Sequence, residues 1–156
     1  MVVADCATSL GERLGADLEV VELAAYLHDI SAVFDPASMP NHPRQSADLA
    51  TQILLERGYP EGRAREVARS IASQSDPLPV GSASPEAVCL SNADAAARIL
   101  RPAYWIYFVF GIRKYGFEEG RQWLRELIEK QWRVLIEPAK ELVGNQYGVT
   151  LELLTR

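Results

Sequence analysis

Apolar residues recur at helical spacing along almost the whole chain, while the strict alternation of a half-buried strand is weak throughout. That pattern restricts the fold to an all-α bundle of five to eight helices packed through their apolar faces. The breaks matter as much as the runs. Val3, Ala7, Leu10 and Leu14 share one face of a helix over residues 2–14, which Gly15 can stop. Asp17 suits the N-cap of the next helix, where Val20, Leu23, Ala24 and Leu27 form the apolar face. Pro36, Pro40 and Pro43 then interrupt any helix, so Ser31 to Pro43 is expected as a loop.

Pro43 fits the first turn of a third helix that Gly58 closes. Tyr59-Pro60-Glu61 starts a fourth, through about Ser73, and residues 75–84 form another loop. Ser84-Pro85-Glu86 is a strong helix start: a capping serine, a proline at the first position and an acid in the first turn. The fifth helix carries Asp94 among Ala93, Ala95, Ala96 and Ala97, and Pro102 bends or ends it. Small neighbours let its backbone approach other helices, so Asp94 either reaches an interior site or faces solvent. Ala103 to Ile112 holds five aromatics and is apolar all round, which suits a central core helix or, as the alternative, an oligomer contact. Gly116-Phe117-Glu118 opens a long amphipathic helix that Pro138 should kink or break. A short helix from Ala139 to Val143 is expected after it, with a tail that is helical or extended.

The 156 residues suit one domain, 1–156, with the C-terminal helices 103–156 packed on the rest. A net charge of −5 argues against a nucleic-acid polymer or an acidic membrane as partner. It leaves room for a small phosphorylated ligand, because a metal ion can supply local positive charge. Cys6 and Cys89 lack C-x-x-C spacing and read as small buried residues rather than a disulfide or zinc pair. The opening MVVADCATSL lacks the basic and apolar runs of a signal peptide, and Ala103–Ile112 is too short to span a bilayer, so a cytoplasmic protein is expected.

Two histidines occur in the chain, His28 and His42, and Asp29 follows the first directly. An imidazole nitrogen and a carboxylate at the end of a buried helix can hold a divalent metal. Adjacent residues on a helix diverge by about 100°, however, so helical geometry does not single the pair out. The plain alternative is a partly buried histidine beside a surface aspartate.

The wording His28-Asp29-Ile30 after an apolar helix resembles the signature of the HD-domain metal-dependent phosphohydrolases, with Ser31 where glycine is common. Ser91-Asn92-Ala93-Asp94 is similar to that family's distal aspartate element, and the stretch from His42 to Pro60 looks like the helix after its third histidine. The resemblance covers roughly residues 3 to 100. It implies a compact HD-like helical bundle with His28, Asp29 and Asp94 as metal ligands and Asp29 also as the catalytic group orienting water. His42, Arg44, Gln74 and Arg98 are candidates for supporting the site or holding substrate, the two arginines because a guanidinium binds phosphate through two donors. Each arginine also reads as an ordinary surface residue. Asp35 reads as a turn residue or as an acid at the site's mouth.

The sequence departs from the family pattern twice. Counting back from His28 places the family's first histidine just before Met1, and none stands in this chain's opening residues. Gln74 stands where two-metal members carry another histidine, so one metal is expected rather than two. The implied cofactor is a divalent ion, with Mn, Fe, Mg, Zn and Ni all compatible. The implied partner is a small phosphate ester, a nucleotide among the candidates. The alternative is a catalytically impaired HD-fold module for binding or homodimer formation.

Overall fold

In the computed structural model, which describes residues 2–35, 41–74 and 77–155, the helix-period segments fold as helices and no strand forms among the described residues. In chain order they are α1 (Val2–Leu14), α2 (Leu18–Leu27), α3 (Ile30–Phe34), α4 (His42–Glu56), α5 (Glu61–Ala72), α6 (Pro85–Leu100) and α7 (Pro102–Ile106). A π-helical segment (Tyr107–Ile112) follows, then α8 (Phe117–Val134) and α9 (Glu137–Thr155). α3 and α7 are single turns; the other helices run ten residues or more. The all-α expectation holds.

The punctuation behaves as its chemistry requires. Asp17 is extended (φ −70°, ψ 107°), and its carboxylate accepts the Val20 amide at 3.2 Å, which caps α2. Ser84 accepts the Ala87 amide at 3.3 Å and caps α6, with Pro85 in the first turn. Gly58 takes φ 76° between α4 and α5, a left-handed value that a Cβ would strain. The Tyr59 amide then closes back on the Leu54 carbonyl at 2.9 Å.

α6 runs through the middle of the bundle, against α1, α2, α5, α8 and α9. Its alanines explain that position: Ala93, Ala95, Ala96 and Ala97 are all buried, and short side chains let five neighbours approach one backbone. Leu10, Val20, Val21, Ile71, Leu90 and Ile99 fill the core around it. Each such large side chain contributes about 1.5–3 kcal/mol on burial. Cys6 and Cys89 are free thiols in this core, and burial pushes the Cys89 thiol up to about 12. α4 packs on α5, outside this layer, and carries His42 at its first position.

Three expectations need correction. Ser31–Pro43 is not wholly loop: Ile30–Phe34 forms a helical turn and His42 and Pro43 already belong to α4, while residues 36–40 lie outside the described residues. Pro43 at the start of α4 is tolerated because first-turn amides have no helical acceptor. The aromatic stretch is not a central core helix. Pro102 ends α6, and in the segment beyond it Val109 is buried while Tyr104, Tyr107 and Ile112 are more than half exposed. Its rings pack mainly on each other and on Trp123, with centroids 5.6 Å apart for Trp105–Phe108 and 6.1 Å for Trp105–Trp123. Finally, α9 is one helix of 19 residues, not a short piece with a tail. Pro138 sits in its first turn and separates it from α8, and Ala139, Val143, Thr150 and Leu154 are buried along it. No helix of the described residues is long and apolar enough to cross a membrane.

Candidate functional site

α2 ends at Leu27, so His28 and Asp29 lie in the turn between α2 and α3 rather than within a helix. This is why two adjacent residues can face each other. Asp29 has φ −108° and ψ 14°, and its Oδ2 stands 3.2 Å from His28 Nε2. The other oxygen, Oδ1, stands 3.3 Å from Nε2 of His42, at the start of α4. One carboxylate thus lies between two imidazoles from separate parts of the chain.

The surroundings lock this arrangement. His28 Nδ1 donates to the Ala25 carbonyl at 2.8 Å, which orients Nε2 toward Asp29. The buried Ser31 amide donates to Ser46 Oγ at 3.2 Å, the two serine hydroxyls are 2.9 Å apart, and Ser31 Oγ donates to the His42 carbonyl at 3.3 Å. These bonds hold α3 against the first turns of α4 and so carry His42 to Asp29. Gln74 is buried and donates to the His28 carbonyl at 2.9 Å from behind, while its Oε1 meets no hydrogen-bond partner among the described residues. Gln74 therefore supports the backbone of the turn and does not line the cleft.

Asp94 comes from α6 and is mostly buried, with its side chain 19% exposed. Its Oδ2 accepts from Arg98 Nη2 at 2.6 Å, one turn along the same helix. Arg98 Nη1 reaches Gln131 Oε1 on α8 at 3.2 Å. His28, Asp29, His42, Asp94, Arg98 and Arg101 all face one open cleft of about 490 Å³, whose wall includes Tyr26, Tyr104 and Trp105. Arg44 is exposed on α4 and does not line this cleft, so its expected phosphate role has no support. Asp35 ends α3, its amide donating to the Ser31 carbonyl at 2.8 Å. Arg101, Gln131 and the three aromatics were not singled out in the sequence. Arg101 follows Arg98 by one turn, a legible signal; Gln131 carries none.

The charges are coupled. Burial works against a charged His28, but the hydrogen bond and charge of Asp29, the Ala25 carbonyl and the charge of Asp94 outweigh it, and the imidazole is held above the ordinary histidine value. Asp29 is held low: burial opposes ionisation, and the hydrogen bond and charge of His28, with the charges of His42 and Arg98, prevail. Asp94 is pushed up by burial, which the charges of Arg98, His28 and His42 do not fully offset.

In kind, the donors fit a divalent ion: one imidazole nitrogen held by a carbonyl behind it, and carboxylates from two elements. In arrangement, the two donors of the turn stand together and Asp94 is engaged by Arg98. Among the described residues, no three histidine, cysteine or acidic side chains are gathered closely enough to hold a metal as they lie.

The model of the HD domain family matches residues 1–99, well over half of the chain, and the chain belongs to that family. Members are typically dependent on divalent metals. No curated protein and no solved structure matches the chain. The matched region takes in the His28-Asp29 turn, His42, Gln74 and Asp94; α7, the π-helical segment, α8 and α9 lie beyond it.

Proposed function

We propose that this protein is a metal-dependent phosphohydrolase of the HD type that acts on a small phosphate ester, a nucleotide being one candidate. The observation that carries this reading is Asp29, set between the Nε2 atoms of His28 and His42 in a cleft that Asp94, Arg98 and Arg101 also line. His28 Nε2, Asp29 and Asp94 would hold the ion, and His42 would bind the outer oxygen of Asp29. A divalent ion bound there supplies a Lewis acid for a phosphoryl oxygen and acidity for an attacking water.

The chain's own groups do the rest. Asp29 accepts a hydrogen bond from the attacking water and fixes its direction. His42 steadies Asp29 through its second oxygen. Arg98 and Arg101 receive the phosphoryl oxygens, where a planar fork of donors stabilises charge as the P–O bond breaks. The family match supports the metal-dependent class. Substrate and metal identity belong to the proposal.

A second reading has an observation of its own. With Asp94 already paired to Arg98, the same fold could act as a binding module with no turnover. Elemental analysis of the protein as purified, repeated on His28→Ala, tests for the metal that the first reading requires, and turnover separates the two readings. Hydrolysis of p-nitrophenyl phosphate or bis-p-nitrophenyl phosphate with added Mn²⁺ completes the test. The phosphohydrolase reading expects metal that disappears in His28→Ala and turnover that disappears in Asp29→Ala. Bound metal without turnover in any metal supports the binding module, and absence of both overturns the enzyme reading.

A further inference from the structure

We infer that Arg98 is an internal cation that occupies Asp94 until a divalent ion displaces it, and that Gln131 on α8 is the positioning residue that keeps the displaced guanidinium at the cleft. The inference rests on the metal reading above and deepens it. Asp94 is a mostly buried carboxylate, and a carboxylate withdrawn from water needs a cation beside it. Arg98 supplies that cation, with Nη2 at 2.6 Å from Oδ2. A divalent ion on the same carboxylate would stand close to the guanidinium, where like charges repel strongly in a partly desolvated cleft. The two cations therefore exclude one another at Asp94.

The guanidinium has a second anchor. Its Nη1 donates to Oε1 of Gln131 at 3.2 Å, and Gln131 is itself 5% exposed and held in the α8 face beside Leu124 and Ile128. Release from Asp94 thus leaves Arg98 tethered on the far side, with the Nη2 donors turned loose in a cleft that Arg101 also lines. A single arginine neutralises Asp94 in the metal-free protein and, once displaced, meets a phosphate oxygen. α8 lies beyond the family-matched residues, so this part of the site is supplied by the chain's C-terminal helices.

The test measures Mn²⁺ binding by titration calorimetry on the metal-stripped full chain, then inorganic phosphate binding to the Mn²⁺-loaded protein. Arg98→Gln is expected to bind Mn²⁺ at least about tenfold tighter, because the competing charge-assisted bond is gone, and phosphate at least about tenfold more weakly. Gln131→Met is expected to weaken phosphate severalfold while leaving Mn²⁺ within about threefold of the parent. A merely structural bond would move both ligands in the same direction. Arg98→Met removes the competing charge while keeping a long side chain and serves where Arg98→Gln does not fold; it should also gain Mn²⁺ affinity and lose phosphate. Unchanged or weaker Mn²⁺ binding in the Arg98 variants, with Asp94→Asn abolishing binding, overturns the inference and leaves the metal reading intact. Failure of the parent and every Arg98 variant to bind Mn²⁺ overturns both.

Discussion

His42 Nε2 lies 3.3 Å from Asp29 Oδ1, although the proline-rich segment separates the two residues in the chain. The contact gives His42 a different standing from His28. His28 presents Nε2 to the same carboxylate from a ring that the Ala25 carbonyl fixes, and its side chain is only 12% exposed. We expect His28→Ala and Asp94→Ala to abolish metal binding with the helices intact. His42→Ala should keep the metal at an affinity reduced about 10- to 100-fold, the usual cost of losing a group that orients a ligand. Metal per chain by elemental analysis, with circular dichroism to confirm the fold, checks all three. Equal loss in His42→Ala would make His42 a direct ligand.

The same cluster makes the stability of the metal-free protein depend on pH. His28 is raised above its ordinary 6.5, so its contribution is full below that value and disappears as pH rises through the higher folded value. Asp29 is lowered from 3.8, so its contribution is full above that value and disappears as pH falls through the lower folded value. Both act together between about 4 and 6.5. Asp94 runs the other way: its raised value makes the folded state lose ground as pH rises past 3.8. Urea unfolding in chelator should therefore show parent stability falling relative to His28→Gln as pH rises past about 6.5, and the two curves should run parallel once His28 is fully deprotonated. Parallel curves through the whole range would mean that Asp29 does not hold the proton on His28.

Much of this was legible from residue order. Asp17, Ser84-Pro85-Glu86 and Gly58 mark helix ends by local chemistry, and the structure uses each as read. Asp94 was ambiguous because a run of alanines has no apolar moment to say which side faces in; α6 is buried nearly all round, and its carboxylate reaches the cleft. Gln131 was illegible, since a lone glutamine on an amphipathic helix reads as surface until its partner on α6 is known. The aromatic stretch misled for a related reason: composition suggested a core, whereas Pro102 turns the segment outward and the rings largely satisfy one another. Local signals report where an element starts and stops. Which face meets which helix is decided by packing across the chain.

Gly120 tests that packing. A Cβ there would meet Val109 Cγ1 at 2.7 Å and the edge of the Phe110 ring closer still. Val109 is wholly buried and has nowhere to move. In an exposed helix, glycine to alanine gains about 1 kcal/mol from propensity. Here overpacking of roughly 1–3 kcal/mol opposes that gain. We expect Gly120→Ala to be destabilising overall, by a few degrees in Tm, with the π-helical segment displaced from α8. A rise in Tm would show that Val109 and Phe110 yield freely.

Asn92 offers a sharper test of that packing, because an isosteric change should be enough to break it. Its side chain is fully buried. Nδ2 donates to the Leu78 and Val88 carbonyls, each at 2.9 Å, and Oδ1 accepts the Ile136 amide at 3.0 Å. It ties the loop before α6 and the junction between α8 and α9 to the helix that carries Asp94. Asn92→Asp would replace two donors with an oxygen facing two carbonyl oxygens, and would bury a charge or force it to protonate. The expected cost is roughly 2–5 kcal/mol, read as a lower urea midpoint at neutral pH and partly recovered at acid pH where the carboxyl becomes a donor. Asn92→Leu should cost stability without the recovery. If Asn92→Asp proved neutral, Asn92 would not be the tie between α6 and the C-terminal helices, and the route by which α8 reaches Arg98 would have to rest on Gln131 alone.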